Sequence, residues 1–374
     1  MTQFPNIAAD ARLYLQPACF VERPHELDGR VARVARSMLW FAAWAVRWRR
    51  GEGGARLGEA LVPVERADEW IAGLADPLRR QAEAARAGVA AERAPLSLGE
   101  RTIRFDEPRV MGILNVTPDS FSDGGRHGGN VDRAADAGFA MAAAGAATID
   151  IGGESTRPGA KPVWEGDEIE RVVPVVDRLA KSGVAVSVDT RKAALMEAAL
   201  AAGAGIVNDI SALLYDERAV EVVAAAACPV VLMHAPSQSS DPHKDARYDD
   251  VVLDVFDWLA RRIETVVAAG ISRDRIIADP GIGFGKGVAD NLALTNSLAL
   301  FHALGVPLLY GASRKRLIGA IDGEAEAGDR IGGSIALHMR AVELGANIVR
   351  VHDVRETVQA VKRSGALRDA ALSC

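Results

Sequence analysis

VMGILNVTPDSFSDGG, residues 110–125, starts as a short apolar run and breaks at Asn115 into a polar, glycine-rich string. The same design returns in GGESTRPG (152–159), VDTRK (188–192), DPGIGFGK (279–286) and SRKR (313–316), each placed after a short apolar run. Runs of this kind occupy residues 110–114, 147–151, 184–188, 206–207, 230–233, 276–278, 307–310 and 348–351, eight in all. Alanine-rich stretches with helical spacing of their apolar residues lie between them, at 134–146, 192–202, 248–269 and 331–344. Continuous apolar strands alternating with helices indicate a parallel sheet covered on both faces, and eight such units close a (β/α)8 barrel. An open, doubly wound sheet would gather ligand groups at one switch point. Here polar residues end nearly every strand, as a barrel mouth requires.

At 374 residues the chain exceeds the roughly 250 typical of such a barrel, and the surplus is N-terminal. Residues 1–94 are expected to form a small α+β appendage and residues 95–374 the barrel. Within the appendage, 38–48 reads as a strand, GEGG (51–54) as a turn, 57–64 as a returning strand and 68–90 as a helix. Residues 96–105, interrupted by Gly99-Glu100, read as a second hairpin that plugs the barrel floor. Trp40, Trp44 and Trp48 share one face of their strand, either as a small core or as an aromatic face for a partner. Arg47, Arg49 and Arg50 read as a solvated strand end.

A net charge of -6, with 44 basic and 50 acidic residues interspersed, offers no basic field for nucleic acid or anionic lipid. Cys19, Cys228 and Cys374 lack metal-ligand spacing and are odd in number, which fits a reducing compartment. No apolar run approaches the roughly 18 residues of a membrane span, and MTQFPNIAAD lacks the features of a signal peptide. The expectation is a cytoplasmic protein.

Asp189, Asn208 and Asp279 fall at or just past the ends of three different strands, so a barrel brings them to one mouth. A carboxylate accepts two hydrogen bonds from an amino-pyrimidine edge, and an amide both donates and accepts. Two acids and an amide suit a planar heterocycle, although each alone would serve equally as a turn or cap residue. Met233 ends its strand with a polarizable side chain able to lie on a flat ring. Arg350 and His352 in RVHDV alternate on the last strand, which puts both on one side as a compact anion site. Asn115 offers a neutral oxygen ligand. Glycines at 124, 125, 152, 153 and 159 allow the first two loops to move.

Over about residues 96–365 these strings, in this order, resemble the dihydropteroate synthase family, which joins a pterin pyrophosphate to p-aminobenzoate in folate synthesis. ILNVTPDSFSDGG is far more specific than a lone glycine fingerprint. The resemblance implies a (β/α)8 barrel in which Asp189, Asn208, Met233, Asp279 and Lys315 hold the pterin. It gives the pyrophosphate to Asn115, Arg157, Arg350 and His352, with Mg2+ on Asn115. For p-aminobenzoate it implies Phe121, Thr156, Pro158, Phe284 and Arg316. Asp123, Arg157, Lys315, Arg350 and His352 would carry the catalysis, in a homodimer open to sulfonamides. The N-terminal extension lies outside the match, as in some bacterial relatives.

Two stretches depart from the family pattern. LMHAPSQSSDPHKDARYDDVV (232–252) replaces a loop usually bearing glutamine and glycine, and its His234 and His243 read as solvent-facing. DRIGGSIALHMRAVELGA (329–346) departs from the usual small-residue pattern and reads as tuning a subunit interface. A pterin-binding methyltransferase shares the barrel and would explain the pterin acids, but not STRPG, SRK and RVHD together. A paralogue keeping the pterin pocket for regulation would be expected to have lost Arg350, His352 or the first loop.

Overall fold

The computed structural model describes residues 4–99, 101–117, 127–155, 162–237, 239 and 241–373. The chain opens with an antiparallel sheet of β1 (Ala11–Val21), β2 (Ala32–Arg33), β3 (Trp40–Arg50) and β4 (Arg56–Pro63). Helices α1 (Ala67–Ala72) and α2 (Asp76–Ala90) follow, then a hairpin of β5 (Leu96–Leu98) and β6 (Arg101–Ile103). The barrel strands are β7 (Arg109–Asn115), β8 (Thr148–Gly152), β9 (Val186–Asp189), β10 (Ile206–Asp209), β11 (Val230–Met233), β12 (Ile276–Asp279), β13 (Leu309–Tyr310) and β14 (Ile348–Val351). Between and after them run α3 (His127–Ala143), α4 (Glu165–Lys181), α5 (Ala193–Ala201), α6 (Ala219–Ala226), α7 (Val251–Ala268), α8 (Val288–Asn296), α9 (Arg316–Ile321), α10 (Ile331–Glu343) and α11 (Val354–Ser373).

The eight parallel strands pair in the order β12-β11-β10-β9-β8-β7-β14-β13. A parallel bridge between Ala278 and Leu308 joins the two ends of that series, and the sheet closes as a (β/α)8 barrel. Side chains alternate along each strand, so positions two apart share the interior. A lower interior layer of Met111, Ile206, Val231, Ile277, Leu309 and Ile348 packs with Leu96, Ile103 and Phe105, and the β5–β6 hairpin thus plugs the floor. Two residues further along, the same strands present Ile113, Asn208, Met233, Asp279, Gly311 and Arg350. On β8 and β9 the equivalent step leads from Thr148 and Ser187 to Asp150 and Asp189. The period of two therefore turns a hydrophobic floor into a polar layer facing the mouth.

In the appendage, Trp44, Val46, Leu13 and Leu15 pack against Trp70, Ile71, Leu78 and Ala82 of the two helices. Trp48 packs at the edge of that cluster, while Trp40 is half-buried with the Arg33 guanidinium 5.3 Å from its ring. Helix α2 crosses the 3-10 turn Leu298–Leu304 so closely that a Cβ at Gly88 would sit 2.2 Å from the Ala303 carbonyl oxygen.

The opposite face of β3 corrects one sequence expectation. Arg47 and Arg49 are buried, at 8% and 1% exposure, rather than solvated. Arg47 donates to Gln16 Oε1 (2.8 Å) and Ser297 Oγ (3.3 Å), while Arg49 reaches Tyr14, Asp254 and Asp257. Strand β1 was not expected at all. Among the described residues, no helix is long and apolar enough to cross a membrane.

Candidate active site

Asp150, Asp189, Asn208 and Arg350 form one hydrogen-bonded group across the polar layer. Arg350 Nε donates to Asp150 Oδ2 at 2.6 Å and its Nη2 to Asp189 Oδ2 at 2.5 Å. Asn208 Nδ2 donates to the same Asp150 oxygen at 2.9 Å. Asp150 is fully buried, and its Oδ1 has no hydrogen-bond partner among the described residues. Sequence reading missed Asp150 because it sits inside the apolar run ATIDI. The signal was there in the parity: one carboxylate at an inward position of a strand otherwise filled by apolar residues.

Asp279 ends β12 opposite Met233, and its Oδ1 accepts from Gly281 N at 2.7 Å. Gly281 has φ +69°, and a Cβ there would lie 1.9 Å from the His234 carbonyl oxygen, so the turn needs glycine. Burial raises the Asp279 carboxyl above its ordinary range, with Lys315 opposing. Lys315 precedes α9, donates to the Ile282 carbonyl and holds its ammonium 4.7 Å from the Phe284 ring centre. Burial lowers its pKa to about 8, with Asp279 opposing. Met233 and Phe284 share an apolar patch with Ile210 and Ala235.

Burial also raises Asp189, against the pull of Arg350; the two carboxylates in turn hold the guanidinium above its ordinary value despite its own burial. His352 stands two residues beyond Arg350, its Nδ1 3.0 Å from Ser313 Oγ, which also accepts from His352 N at 3.1 Å. Ser313 thus orients the imidazole, a role that sequence reading did not assign. Arg316 is exposed at the first residue of α9.

Asn115 closes β7 half-buried, in register with Gly152. Among the described residues no three His, Cys, Asp or Glu side chains cluster as a metal site. A single amide oxygen fits Mg2+ whose other ligands come from phosphate and water, and does not fit a metal held by protein alone.

Phe121, Asp123, Thr156, Arg157 and Pro158 lie outside the described residues. The flanks of the second loop are anchored: Glu154 pairs with Arg191 (3.2 Å) and Lys192 (3.1 Å), and Lys192 also donates to the Val163 carbonyl at 2.7 Å. VDTRK therefore places Asp189 in the mouth and braces its neighbour with the next two residues.

The loop after β11 differs from expectation. His234 is 4% exposed rather than solvent-facing, 3.0 Å from Lys286 Nζ, with its ring edge-on to Trp258. Burial drives its pKa well below the ordinary value. His243 stacks on Phe284 with ring centres 5.2 Å apart and planes 14° apart, and its Nδ1 accepts from Gly285 N.

A closed barrel whose mouth gathers three carboxylates, an amide, a lysine, an arginine and a histidine is the site of a barrel enzyme with a planar, anion-bearing ligand. The pterin binding enzyme family matches residues 111–352. The dihydropteroate synthase of Escherichia coli is 43% identical over 262 residues, which span 70% of this chain and 92% of that one. A probable bifunctional folylpolyglutamate synthase/dihydropteroate synthase of Haloferax volcanii is 47% identical over 264 residues, 71% of this chain and only 31% of that protein. A solved Xanthomonas albilineans dihydropteroate synthase with 4-aminobenzoic acid superposes with TM-score 0.69 at 46% identity, over 73% of this chain and 98% of that one. The chain belongs to the pterin-binding enzymes and, among them, to the dihydropteroate synthase family.

If Lys315 donates to the bound heterocycle as an ammonium, its charged fraction falls as pH rises through about 8, and affinity falls with it. Calorimetry with 7,8-dihydropterin from pH 6 to 9.5 should show that alkaline limb. Lys315→Arg, which stays charged, should remove it. A flat profile in the wild type would separate Lys315 from the ligand.

Proposed function

We infer that this chain condenses 6-hydroxymethyl-7,8-dihydropterin pyrophosphate with p-aminobenzoate to give 7,8-dihydropteroate and pyrophosphate. The observation that carries the reading is the convergence of Asp150, Asp189, Asn208, Asp279 and Arg350 in one interior layer, with Lys315 beside Asp279 at the start of α9, on a family match spanning the barrel. In this reading Asp189, Asn208 and Asp279 bind the pterin edge, Met233 lies on its face, and Lys315 serves its carbonyl and ring nitrogen. The unpartnered oxygen of Asp150 is a further acceptor for a ring N–H.

The pyrophosphate falls to Arg350 and His352, with Asn115 and Arg157. Asn115 would hold Mg2+, which when bound would supply positive charge at the leaving oxygens. Arg350 and His352 stabilise the negative charge that develops as the methylene carbon–oxygen bond breaks and its electron pair leaves on pyrophosphate. The aniline nitrogen of p-aminobenzoate then forms the new bond to that carbon and afterwards loses one proton. Being neutral at pH 7, it needs no strong base. Asp123 is proposed either to steady the cationic pterin-methyl fragment or to take the proton. Phe121, Thr156, Pro158, Phe284 and Arg316 are proposed around the second substrate, with the two loops excluding water. A cytoplasmic homodimer completes the proposal.

If the second pocket is built by loops closing over a bound pyrophosphate, p-aminobenzoate and sulfonamides should bind the free protein poorly. The expected positive coupling with pterin and Mg2+-pyrophosphate is roughly 1–3 kcal/mol. Calorimetry in the presence and absence of both reads it. Equally tight sulfonamide binding to the free protein would mean a preformed pocket and would rule out loop closure. The reaction itself is tested by formation of dihydropteroate and pyrophosphate from the two substrates.

A further inference from the structure

The appendage meets the barrel through apolar contacts, Tyr14 on Phe256 and α2 on Ala303, and through a group of buried ions. Arg49, on the face of β3 turned away from the tryptophan core, donates its Nε to Tyr14 Oη at 2.9 Å and its two terminal nitrogens to Asp254 and Asp257 of α7. Tyr14 Oη donates to Asp257 Oδ2 at 2.7 Å, and Arg12 pairs with Asp257 Oδ1 at 2.6 Å. Beside this group the β3–β4 turn holds the residues that lead into α7. Gly54 N donates to Asp249 Oδ2 and Arg56 Nε to Asp250 Oδ2, both at 2.9 Å. Asp250 caps α7 through Val252 N and Leu253 N, while Asp254 Oδ2 accepts from the amides of Asp249 and Asp250.

Residues 241–248, which lead into the gripped Asp249 and Asp250, lie with His234 on the Asp279–Lys286 loop. His243 stacks on Phe284 and accepts from Gly285 N, and His234 meets Lys286. Lys286 Nζ also donates to the carbonyls of Gly281 (2.9 Å) and Phe284 (3.1 Å). The two loops pack without slack: a Cβ at Gly285 would lie 2.3 Å from Pro236 and 3.2 Å from Ala246. Arg49 and Arg56 are therefore linked, through the anchored residues Asp249 and Asp250 and the six residues of chain back to His243, to the ring of Phe284, on which the Lys315 ammonium rests.

We propose that the N-terminal sheet is a clamp on residues 234–250 and, through His243, on the Phe284 wall of the mouth, so that Arg49 and Arg56 are positioning residues for the second substrate. Buried ion pairs contribute little net stability against an apolar replacement, but they fix the orientation of the elements they join. Of the groups proposed to bind the pterin, Asp189, Asn208, Met233 and Asp279 hang on the strands and do not depend on this contact. The claim about the second substrate rests on the synthase reading above. The claim about the loop does not.

The test uses the full chain with Arg49→Met, Arg56→Ala and, as a control, Arg86→Ala, which removes an exposed pair with Asp68 far from the clamp. Amide hydrogen exchange at Gly283, Phe284 and Gly285 should accelerate in Arg49→Met and Arg56→Ala and stay at the wild-type rate in Arg86→Ala. The KM for p-aminobenzoate should rise about 3- to 30-fold, the span expected of contact-mediated coupling, with the KM for the pterin pyrophosphate unchanged. If Arg49→Met does not fold, Arg56→Ala, half-exposed at the surface, carries the test. Folded variants with wild-type exchange at residues 283–285 would overturn the clamp. A wild type that makes no dihydropteroate would sink the synthase reading and leave the exchange result to decide the clamp by itself.

Discussion

Arg350→Ala is expected to lower the turnover of dihydropteroate synthesis by about 1,000-fold, the upper range for removing one preorganised charge donor from a reacting oxyanion. The same substitution should cost roughly 3 kcal/mol of stability, the low end for breaking a buried ion pair, since the mouth leaves the guanidinium partly exposed. Both effects follow from its position. The guanidinium bridges Asp150 and Asp189, and in the proposed reaction it also serves the leaving group.

The stability loss has a pH signature of definite sign. Burial already raises Asp189 against the pull of Arg350, and removing Arg350 raises it further. A folded state with raised carboxyl pKa values binds protons that the unfolded chain, titrating near about 4, has released. Stability of the variant should therefore fall as pH rises from about 4 toward neutrality, more steeply than in the wild type. Thermal melts of both proteins at pH 5 and pH 7.5 read the difference. A deficit that is the same at both values would show that the carboxylates do not depend on Arg350.

Asp279→Asn should weaken pterin binding by two to three orders of magnitude, because two charge-assisted hydrogen bonds of about 1.5–3 kcal/mol each are reduced or lost. The fold should survive it. The amide oxygen of asparagine can still accept from Gly281 N, the bond that shapes the turn. Calorimetry with 7,8-dihydropterin, alongside circular dichroism and melting curves, separates the two effects. Wild-type affinity in a folded Asp279→Asn protein would remove this carboxylate from the pterin site.

The barrel was legible because its strands are buried on both faces: each reads as an apolar run, and each run stops where the mouth begins. Asp189, Asn208, Asp279 and Arg350 could be placed for that reason, since in a parallel barrel a polar residue that closes an apolar run stands at the mouth. Asp150 was hidden because it stands inside its run, before the polar string begins. Strand β1 was illegible for local reasons. Its ARLYLQPACFV carries Pro17 and then Cys19 at φ 55°, and Cys19 and Ala42 drop out of the pairing with β3 without a change of register, so the strand continues where a sequence pattern would end it.

Arg49 had no local signal at all. Its partners Asp254 and Asp257 lie more than 200 residues away, and a run of arginines beside a turn ordinarily means solvent. The burial of His234 was likewise set by tertiary contacts, here Trp258 and Lys286, which no pattern within the loop announces.

The most direct test of the account is the reaction. Purified full-length protein is incubated with 6-hydroxymethyl-7,8-dihydropterin pyrophosphate, p-aminobenzoate and Mg2+, and dihydropteroate is measured by mass spectrometry alongside released pyrophosphate. Equimolar dihydropteroate and pyrophosphate are expected, dependent on Mg2+ and formed about 1,000-fold more slowly by Arg350→Ala. Folded protein that binds the pterin yet forms no dihydropteroate under these conditions would contradict it.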